Sequence, residues 1–167
     1  MAADPQRWLS VEEYLELDSA SLDLKYEYLS GQIRAMNGGT TNHAWLSINM
    51  LTQLNEQLRS GPCLVYNSDM RVQLAHNCYV YPDVTISCDV ADAQGENVIV
   101  RAPHLVVEVL LPSTEAYDRG EKFARYQSCA SVQEYVLVNY RQQLIEVFRR
   151  QGAKWSYAPL RPVRKSS

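Results

Sequence analysis

The sequence predicts a mixed α/β (α+β) domain, with a central mixed β-sheet flanked by helices and an N-terminal β-hairpin. Segments with helical periodicity alternate with short apolar runs of strand length. The run LVVEVLL is apolar except for one acid, which is typical of a strand buried on both faces. A chain of 167 residues suits one hydrophobic core. We therefore expect a single domain over 1–167, with its core at about 10–150 and a short basic tail at 159–167.

Three helices are predicted. Ser10 and Glu13 have the spacing of a capping box, which indicates a short first helix through VEEYLEL. A longer amphipathic helix begins near His43, where apolar residues recur at helical spacing: Ala44, Ile48, Leu51, Leu54 and Leu58. A third helix runs through EAYDRGEKFARYQSCA, residues 115–130, although Gly120 lowers its helix propensity locally.

Alternating and continuous apolar runs predict the strands. The hairpin is expected over LKYEYLSGQIRAM, where Gly31 supplies the positive φ that a tight turn requires. The polar stretch 89–98 is expected to be a surface loop. The other strands are predicted, in chain order, at CLVYN, MRVQLA, YVYPDVTISC, LVVEVLL, EYVLVNY, LIEVFRR and KWSYA.

Charge and hydropathy limit the classes of function. The formal net charge is -3, which argues against extended binding to nucleic-acid phosphates, although local patches and an acidic metal site are compatible with it. No apolar run approaches the roughly 20 residues of a membrane-spanning helix. The first residues lack the basic start and apolar centre of a secretory signal. We therefore expect a cytoplasmic protein without membrane contact.

The cysteines Cys63, Cys78, Cys88 and Cys129 are widely separated and form no C-x-x-C pair. This spacing argues against a zinc knuckle or a redox dithiol. In a reducing compartment we expect all four to be buried or half-buried thiols that pack as small hydrophobic side chains.

Three carboxylates lie where the local sequence makes a carboxylate unexpected. Glu108 is in the centre of an apolar strand, where it is costly unless paired, hydrogen-bonded or bound to a cation. Asp83 follows a proline at the start of a strand, and Glu27 lies between two tyrosines of the hairpin. Taken singly, each acid can be interpreted as an ordinary turn or surface residue. Lys122 can likewise be interpreted as a surface lysine paired with Asp118 one turn earlier. Together they predict one acidic site.

Such a set is typical of a Mg²⁺ or Mn²⁺ site that hydrolyses phosphodiesters. Hard divalent cations prefer carboxylate oxygens, and water and substrate phosphate complete the shell. Asp83, Glu108 and the carbonyl of Val109 are the expected ligands. Glu27 is expected as an outer or second-metal ligand, and Lys122 as a cation that orients the attacking water or stabilises the transition state.

Candidate substrate contacts are His43, Arg119 and Tyr126. His43 begins the long helix and is a candidate phosphate contact, although a helix cap or a surface position is the commoner role of such a residue. Arg119 is a candidate contact to a backbone phosphate. Tyr126 lies one turn after Lys122, and half-buried packing is its ordinary alternative.

These residues carry a family resemblance. The segment EVLLPSTEAYDRGEKFARYQSCASVQEYVLVN resembles the Uma-two family of restriction endonucleases, and YEYLSGQI, Asn42-His43 and YPDVTI stand in the family's order. The family looks like a branch of the PD-(D/E)XK nuclease superfamily, which implies a restriction-endonuclease-like core. The resemblance also implies Glu27, Asp83 and Glu108 as the acidic set, with the site lysine moved to Lys122.

Two features depart from the family pattern. The usual lysine position of the superfamily, two residues after the acid, holds Leu110, so the site depends on Lys122. Family members continue with an apolar C-terminal segment, whereas this chain ends in PLRPVRKSS. Packing and dimerisation near the C-terminus are therefore open.

We expect a Mg²⁺- or Mn²⁺-dependent endonuclease that hydrolyses DNA phosphodiester bonds with metal-activated water. A homodimer is expected from the resemblance, because nucleases that cut duplexes often pair two sites. No helix-turn-helix, zinc finger or long basic arm predicts a sequence preference. One alternative is a catalytically silent binding or regulatory module that retains the nuclease fold. Another is a hydrolase of a small phosphorylated compound, which a narrow closed pocket would favour.

Overall fold

The computed structural model describes residues 7–162 and confirms the predicted mixed α+β architecture. The helices are α1 Val11–Ala20, α2 Thr41–Leu58, α3 Glu115–Arg119 and α4 Glu121–Ser128. The strands are β1 Lys25–Leu29, β2 Gln32–Met36, β3 Leu64–Asn67, β4 Arg71–Ala75, β5 Cys78–Val80, β6 Val84–Ser87, β7 Ile99–Val100, β8 Pro103–Val109, β9 Glu134–Asn139, β10 Leu144–Gln151 and β11 Lys154–Leu160.

The strands form two sheets. The hairpin β1–β2 belongs to a smaller sheet with the order β2-β1-β5-β4-β7, and the larger sheet has the order β11-β10-β9-β8-β6-β3. The larger sheet is mixed, because β8 is parallel to β9 and antiparallel to β6. α2 packs on one face of it, while the smaller sheet and α4 share a core with its other face. α1 covers the smaller sheet.

The N-terminal helix and hairpin form as their sequences predict. The Ser10 hydroxyl accepts a hydrogen bond from the N–H of Glu13, and the Glu13 carboxylate accepts one from the N–H of Ser10. Ser30 and Gly31 both have positive φ, at 49° and 99°, which matches the twist of a tight hairpin. A Cβ at Gly31 would also collide with the ring of Trp8, so this turn requires glycine.

The prediction of one continuous strand over YVYPDVTISC is wrong, because the chain changes sheets within it. β5 belongs to the smaller sheet and β6 to the larger one. Pro82 between them has no N–H and cannot continue a strand ladder. The crossing places Tyr81 and Asp83 at the passage from one sheet to the other.

The prediction of one helix over 115–130 is also wrong, because the helix breaks at Gly120. This residue has φ -105° and ψ -96°, outside the helical region, and it separates α3 from α4. Glycine has no Cβ and adopts such a conformation more readily than other residues. After the break, Lys122 and Tyr126 on α4 are both buried.

Helix α2 forms near the predicted start, but its apolar stripe is divided between two environments. The residues that pack against the larger sheet are Leu46, Met50, Leu51 and Leu54. Ala44 and Ile48, which were expected on the same buried face, are exposed and line a surface cavity. The predicted stripe therefore lies partly on the wall of a cavity instead of in the core.

The prediction that all four cysteines are unpaired is wrong for two of them. Cys63 and Cys88 form a disulfide, whereas Cys78 and Cys129 are buried free thiols as expected. The reason is the register of β3 and β6, which pairs Leu64 with Ser87 and so brings the flanking cysteines together. Their separation along the chain does not reveal this pairing.

The predicted surface loop at 89–98 is largely exposed, but Asp92 within it is buried. Its carboxylate accepts hydrogen bonds from the N–H groups of Arg101 and Ala102 and from the hydroxyl of Ser87. These bonds attach the loop to the end of β6 and to the residues directly after β7. That strand was not predicted, because two residues carry too little periodicity.

The last strand of the chain, β11, lies at one edge of the larger sheet. The predicted basic tail at 159–167 begins inside β11, the edge strand of the larger sheet, and 163–167 lie outside the described residues. Within 7–162, no helix is long and apolar enough to cross a membrane.

A buried ion pair holds α1 to the smaller sheet. Arg71 donates to Asp18 Oδ2 from Nε and Nη2, at 3.0 and 2.6 Å. The Tyr81 hydroxyl donates to the same oxygen at 2.5 Å, and the Tyr26 N–H donates to Oδ1 at 2.7 Å. Because Asp18 and Arg71 are both buried, loss of the carboxylate would leave a buried guanidinium without its counter-charge.

We expect Asp18→Asn to lower the free energy of unfolding by about 3 kcal/mol, because breaking a buried ion pair leaves an uncompensated charge. Glu16→Gln is the control: it lies on the same helix, is exposed, and should change stability by less than about 0.5 kcal/mol. Chemical denaturation at neutral pH measures both variants. An equal effect of the two substitutions would contradict the structural role of the pair.

Candidate active site

A buried lysine joins the hairpin, the central strand and α4. Lys122 Nζ lies 2.8 Å from Glu27 Oε1 and 2.6 Å from Glu108 Oε1. The exposed fractions of the three side chains are 1% for Lys122, 0% for Glu27 and 5% for Glu108. The structure therefore brings together three of the predicted site residues in a charged cluster shielded from water.

Tyrosines and one backbone group complete the hydrogen bonds of this cluster. Glu27 Oε1 also accepts from the N–H of Tyr81 at 2.9 Å, and its Oε2 accepts from the hydroxyl of Tyr117 at 2.8 Å. Glu108 Oε1 accepts from the hydroxyl of Tyr126 at 2.7 Å. The sheet crossing at Pro82 is what presents the Tyr81 N–H to Glu27.

Burial and charge act in opposite directions on the lysine. Burial alone would lower the pKa of Lys122, but the charges of Glu108, Glu27 and Asp118 outweigh it, and the pKa is raised. Burial also raises the pKa of the Glu108 carboxyl, and the Lys122 ammonium opposes that shift. Lys122 is therefore held as a cation among acids that outnumber it, and a bound metal ion would offset the excess negative charge.

Asp83 forms a second and more accessible part of the site. Its Oδ2 accepts a hydrogen bond from the N–H of Val109 at 2.7 Å and lies 3.2 Å from His43 Nε2. The hydrogen bond with Asp83 raises the pKa of the His43 imidazole, and burial acts against that rise. The side chains of Asp83 and His43 are 14% and 18% exposed, so solvent reaches both.

One cavity of about 150 Å³ connects these two parts, and we name it the acidic cavity. The predicted site residues that line it are Asp83, Glu108, Val109, Lys122 and His43. The rest of its wall comes from the end of β2, the loop after it, and the segment from Leu111 to Asp118. The structure thus places most of the predicted set around one small space.

Glu27 does not line the acidic cavity. Both of its oxygens accept hydrogen bonds from protein groups, and its side chain is fully buried. The structure therefore places Glu27 among protein donors and outside the cavity wall, and its expected role as an outer or second-metal ligand stays a prediction. The contacts suit a residue that holds Lys122 in place.

The donors around the cavity fit a magnesium-type ion. Within residues 7–162, no three His, Cys, Asp or Glu side chains are grouped as a metal cage. Mg²⁺ needs no such cage, since it usually takes one or two carboxylates and keeps water and phosphate as its other ligands. Asp83 and Glu108 provide two carboxylates. Glu108 uses Oε1 for its contacts with Tyr126 and Lys122, which leaves Oε2 for a cation.

Two predicted substrate contacts have other partners. Arg119 forms an ion pair with Glu146, with distances of 2.6 and 3.2 Å, and also bonds to Glu115 at 2.9 Å. It does not line the acidic cavity. Tyr126 is buried and donates to Glu108, so it supports a carboxylate and does not reach the cavity surface.

Arg34 was not predicted, yet it lines the mouth of the acidic cavity. Its Cζ lies 4.0 Å from the centre of the Tyr117 ring, and its side chain is exposed. No carboxylate within 7–162 lies at salt-bridge distance from it. The hairpin register places it opposite Glu27. The sequence could have indicated Arg34 as a site residue through this pairing, because Glu27 and Arg34 are equally far from the Ser30-Gly31 turn and so lie opposite each other in a hairpin.

Two proteins of Synechocystis sp. (strain ATCC 27184 / PCC 6803 / Kazusa) are similar in sequence. "Uncharacterized protein slr1290" is 41% identical over 143 residues, which are 85% of this chain and 74% of that protein. "Uncharacterized protein sll1609" is 28% identical over 146 residues, which are 86% of this chain and 82% of that protein. Neither name states an activity.

A solved structure has the same fold. It is a crystal structure of "a putative nuclease belonging to DUF820 from Anabaena variabilis ATCC 29413", and it superposes with a TM-score of 0.74 over 89% of this chain and 83% of that one. The sequence identity is 16%, so the likeness concerns the fold alone. It confirms the predicted fold class.

The family model that matches is Uma2, described as "Putative restriction endonuclease", and it matches residues 11–165. The matched span contains all of the residues around the acidic cavity. The resemblance seen in the sequence is therefore confirmed: this chain belongs to the Uma2 family.

Proposed function

We propose that this protein is a metal-dependent endonuclease that hydrolyses DNA phosphodiester bonds in the acidic cavity. One observation carries the proposal: two carboxylates, Asp83 and Glu108, line a small cavity together with the buried Lys122. Membership of the Uma2 family and the nuclease-type fold support it.

The carboxylates have separate roles in this proposal. Asp83 and Glu108, with the carbonyl of Val109, would hold Mg²⁺ or Mn²⁺. Such an ion, when bound, neutralises phosphoryl charge and lowers the pKa of water. The Val109 N–H and the Tyr126 hydroxyl fix the two acids, so that they are oriented before substrate arrives.

Lys122 is the cation that faces the substrate phosphate in this proposal. An ammonium has three N–H donors, and two of them are directed to Glu27 and Glu108. The third is available to a phosphoryl oxygen, because Lys122 also lines the cavity. Glu27 acts as a positioning residue that fixes the lysine.

Asp118 adds a further negative charge to the wall of the cavity. The Thr114 hydroxyl donates to its Oδ2 at 3.1 Å, and the side chain is buried. Burial raises the pKa of Asp118 to about 6, and the charge of Lys122 opposes that shift. The ionised form of Asp118 is therefore less stable in the folded protein than in the unfolded chain. Groups with shifted pKa values of this kind are common at functional sites.

One observation favours the alternative of a catalytically silent module. Residues 7–162 hold no three-residue group of metal-ligating side chains, so metal binding depends on two carboxylates and the substrate itself. A site with so few protein ligands could lose its ion and keep its fold. The cleavage experiment separates the two functions.

We expect the wild type to cut supercoiled plasmid or single-stranded DNA with Mn²⁺ or Mg²⁺, and EDTA to abolish cutting. Asp83→Asn should reduce the rate on the order of 100-fold, because it weakens the binding of the ion that offsets the phosphoryl charge. Glu56→Gln, an exposed acid on α2, should keep the wild-type rate.

Thermal melting checks that each variant is folded. Equal cutting by Asp83→Asn and the wild type would assign the activity to another site or a contaminant. Absence of cutting by a folded wild type under all metal conditions would favour the silent module.

Arg34 should contribute one phosphate contact. We expect Arg34→Gln to weaken DNA binding in EDTA and to reduce the slope of log K against log salt by about 0.7–0.9. Arg141→Gln is the control, because it removes the same charge from an exposed position away from the cavity. Fluorescence anisotropy over a range of salt concentrations measures both slopes. An unchanged slope for Arg34→Gln would exclude this contact.

Asp118→Asn should stabilise the protein at pH 7.5 and leave its stability unchanged at pH 4. The folded-state pKa of about 6 is above the ordinary value, so the wild type loses stability as pH rises from about 4 to 6. About two pKa units correspond to on the order of 3 kcal/mol. Denaturation curves at both pH values test this. Destabilisation by Asp118→Asn at pH 7.5 would mean that the charged form is favoured in the fold.

A further inference from the structure

A larger cavity opens beside the acidic cavity, and we name it the side cavity. Its volume is about 600 Å³, within the roughly 300–1,000 Å³ typical of small-molecule sites. The residues that line both cavities are Met36, Asn37, Gly38, His43 and Asp83. A ligand whose phosphate lies at Asp83 therefore extends directly into the side cavity.

The walls of the side cavity include exposed apolar side chains that belong to no core cluster. Ala44 and Ile48 continue the apolar stripe of α2, yet they face this space and remain exposed. Met36 and Leu51 extend the same surface, and Tyr81 adds an aromatic ring. An unburied apolar wall next to a reactive site indicates a ligand with an apolar face.

The charges in the side cavity do not suit a phosphate chain. Among the described residues that line the side cavity, Lys25 is the only lysine or arginine. Its ammonium is already paired with Asp69 at 2.6 Å and with the carbonyl of Ser68 at 2.9 Å. Asp23 and Asp83 add negative charge to the same wall. Contacts here must come from burial and neutral hydrogen bonds.

We propose that the side cavity takes a nucleobase of the strand whose phosphate lies in the acidic cavity. A nucleobase has flat apolar faces and a polar edge. Ala44, Ile48 and Leu51 would contact its faces. The amide of Asn37 and the hydroxyl of Ser47 also line the cavity and would bond to its polar edge, with the hydroxyl as an acceptor because it donates to the carbonyl of His43. This inference rests on the proposed nuclease function and defines its substrate class.

A base enters a side cavity only when it leaves the helical stack. Extruding a base from a duplex costs a few kcal/mol, and the cost is least for a mismatched or single-stranded base. The protein should therefore act on unpaired nucleotides in preference to continuous duplex. The same chemistry is present in a free mononucleotide, which the experiment must distinguish from a strand.

The test uses a tryptophan that fills the side cavity. Ser47→Trp projects from α2 into the cavity, and Asn49→Trp on the same helix is the control, because it is exposed and lies outside the lining. The probes are a fluorescent single-stranded oligonucleotide, the same strand with abasic sites, and a fully paired duplex. Binding is measured by anisotropy in EDTA, and cleavage is measured with Mn²⁺.

We expect the wild type to prefer the single strand to the duplex. Ser47→Trp should weaken binding of the normal strand by about tenfold, equivalent to about 1.4 kcal/mol of lost base contact, and should leave the abasic strand nearly unaffected. Asn49→Trp should bind both strands as the wild type does. In the cleavage assay, the wild type should cut the single strand faster than the duplex. Loss of that preference in Ser47→Trp would also support the base cavity.

Other outcomes overturn the inference in distinguishable ways. Wild-type cleavage that Ser47→Trp leaves unchanged, or an equal loss on normal and abasic strands, overturns the base cavity and leaves the nuclease intact. Competition by free deoxynucleoside monophosphates with the affinity of the oligonucleotide assigns the cavity to a small nucleotide. A folded wild type that neither binds nor cuts any DNA overturns both proposals.

Discussion

One buried cation determines how the parts of this fold meet. Lys122 on α4 lies between Glu27 on β1 and Glu108 on β8, so each sheet supplies one acid to the same ammonium. A buried ammonium without counter-charges is strongly destabilising, which ties α4 and both sheets to one geometry. The helix break at Gly120 separates α4 from α3, and the sheet crossing brings the Tyr81 N–H to Glu27. The helix break and the sheet crossing thus occur where the chain must bring residues to the cluster of Lys122, Glu27 and Glu108.

The same cluster leaves the site with more acids than bases. Glu27 and Glu108 share Lys122, while Asp83 and Asp118 add charge to the same cavity. A fold selected for stability alone would replace some of these acids, since buried charge is seldom stabilising. The excess of carboxylates over cationic side chains is explained if the site binds a divalent cation together with a substrate phosphate. Under the proposed function, the protein accepts a stability cost at the site that ligand binding relieves.

The sequence predicted which acids lie near one another better than it predicted the contacts that each acid makes. Glu108 and Asp83 stand out because an apolar strand and a proline make their local settings unusual, and Lys122 was expected both from the pattern of charged residues and from the family resemblance. Glu27 was expected near a metal, but its role depends on hydrogen bonds from distant segments, which no local pattern encodes. The Cys63–Cys88 disulfide likewise depends on the register of two strands. Properties set by neighbours in sequence were predictable, whereas properties set by pairing between segments were not.

The acidic composition and a nucleic-acid substrate are compatible if recognition is local. Basic side chains near the site are mostly neutralised: Lys122 by two glutamates, Lys25 by Asp69, and Arg119 by Glu146. Arg34 is the exception at the cavity mouth. A protein with few free cations gains little from a long stretch of phosphates, since that affinity comes from counterion release. Under the two proposals, its selectivity would arise from one phosphate in the acidic cavity and one base beside it, which favours a distorted or unpaired strand over regular duplex.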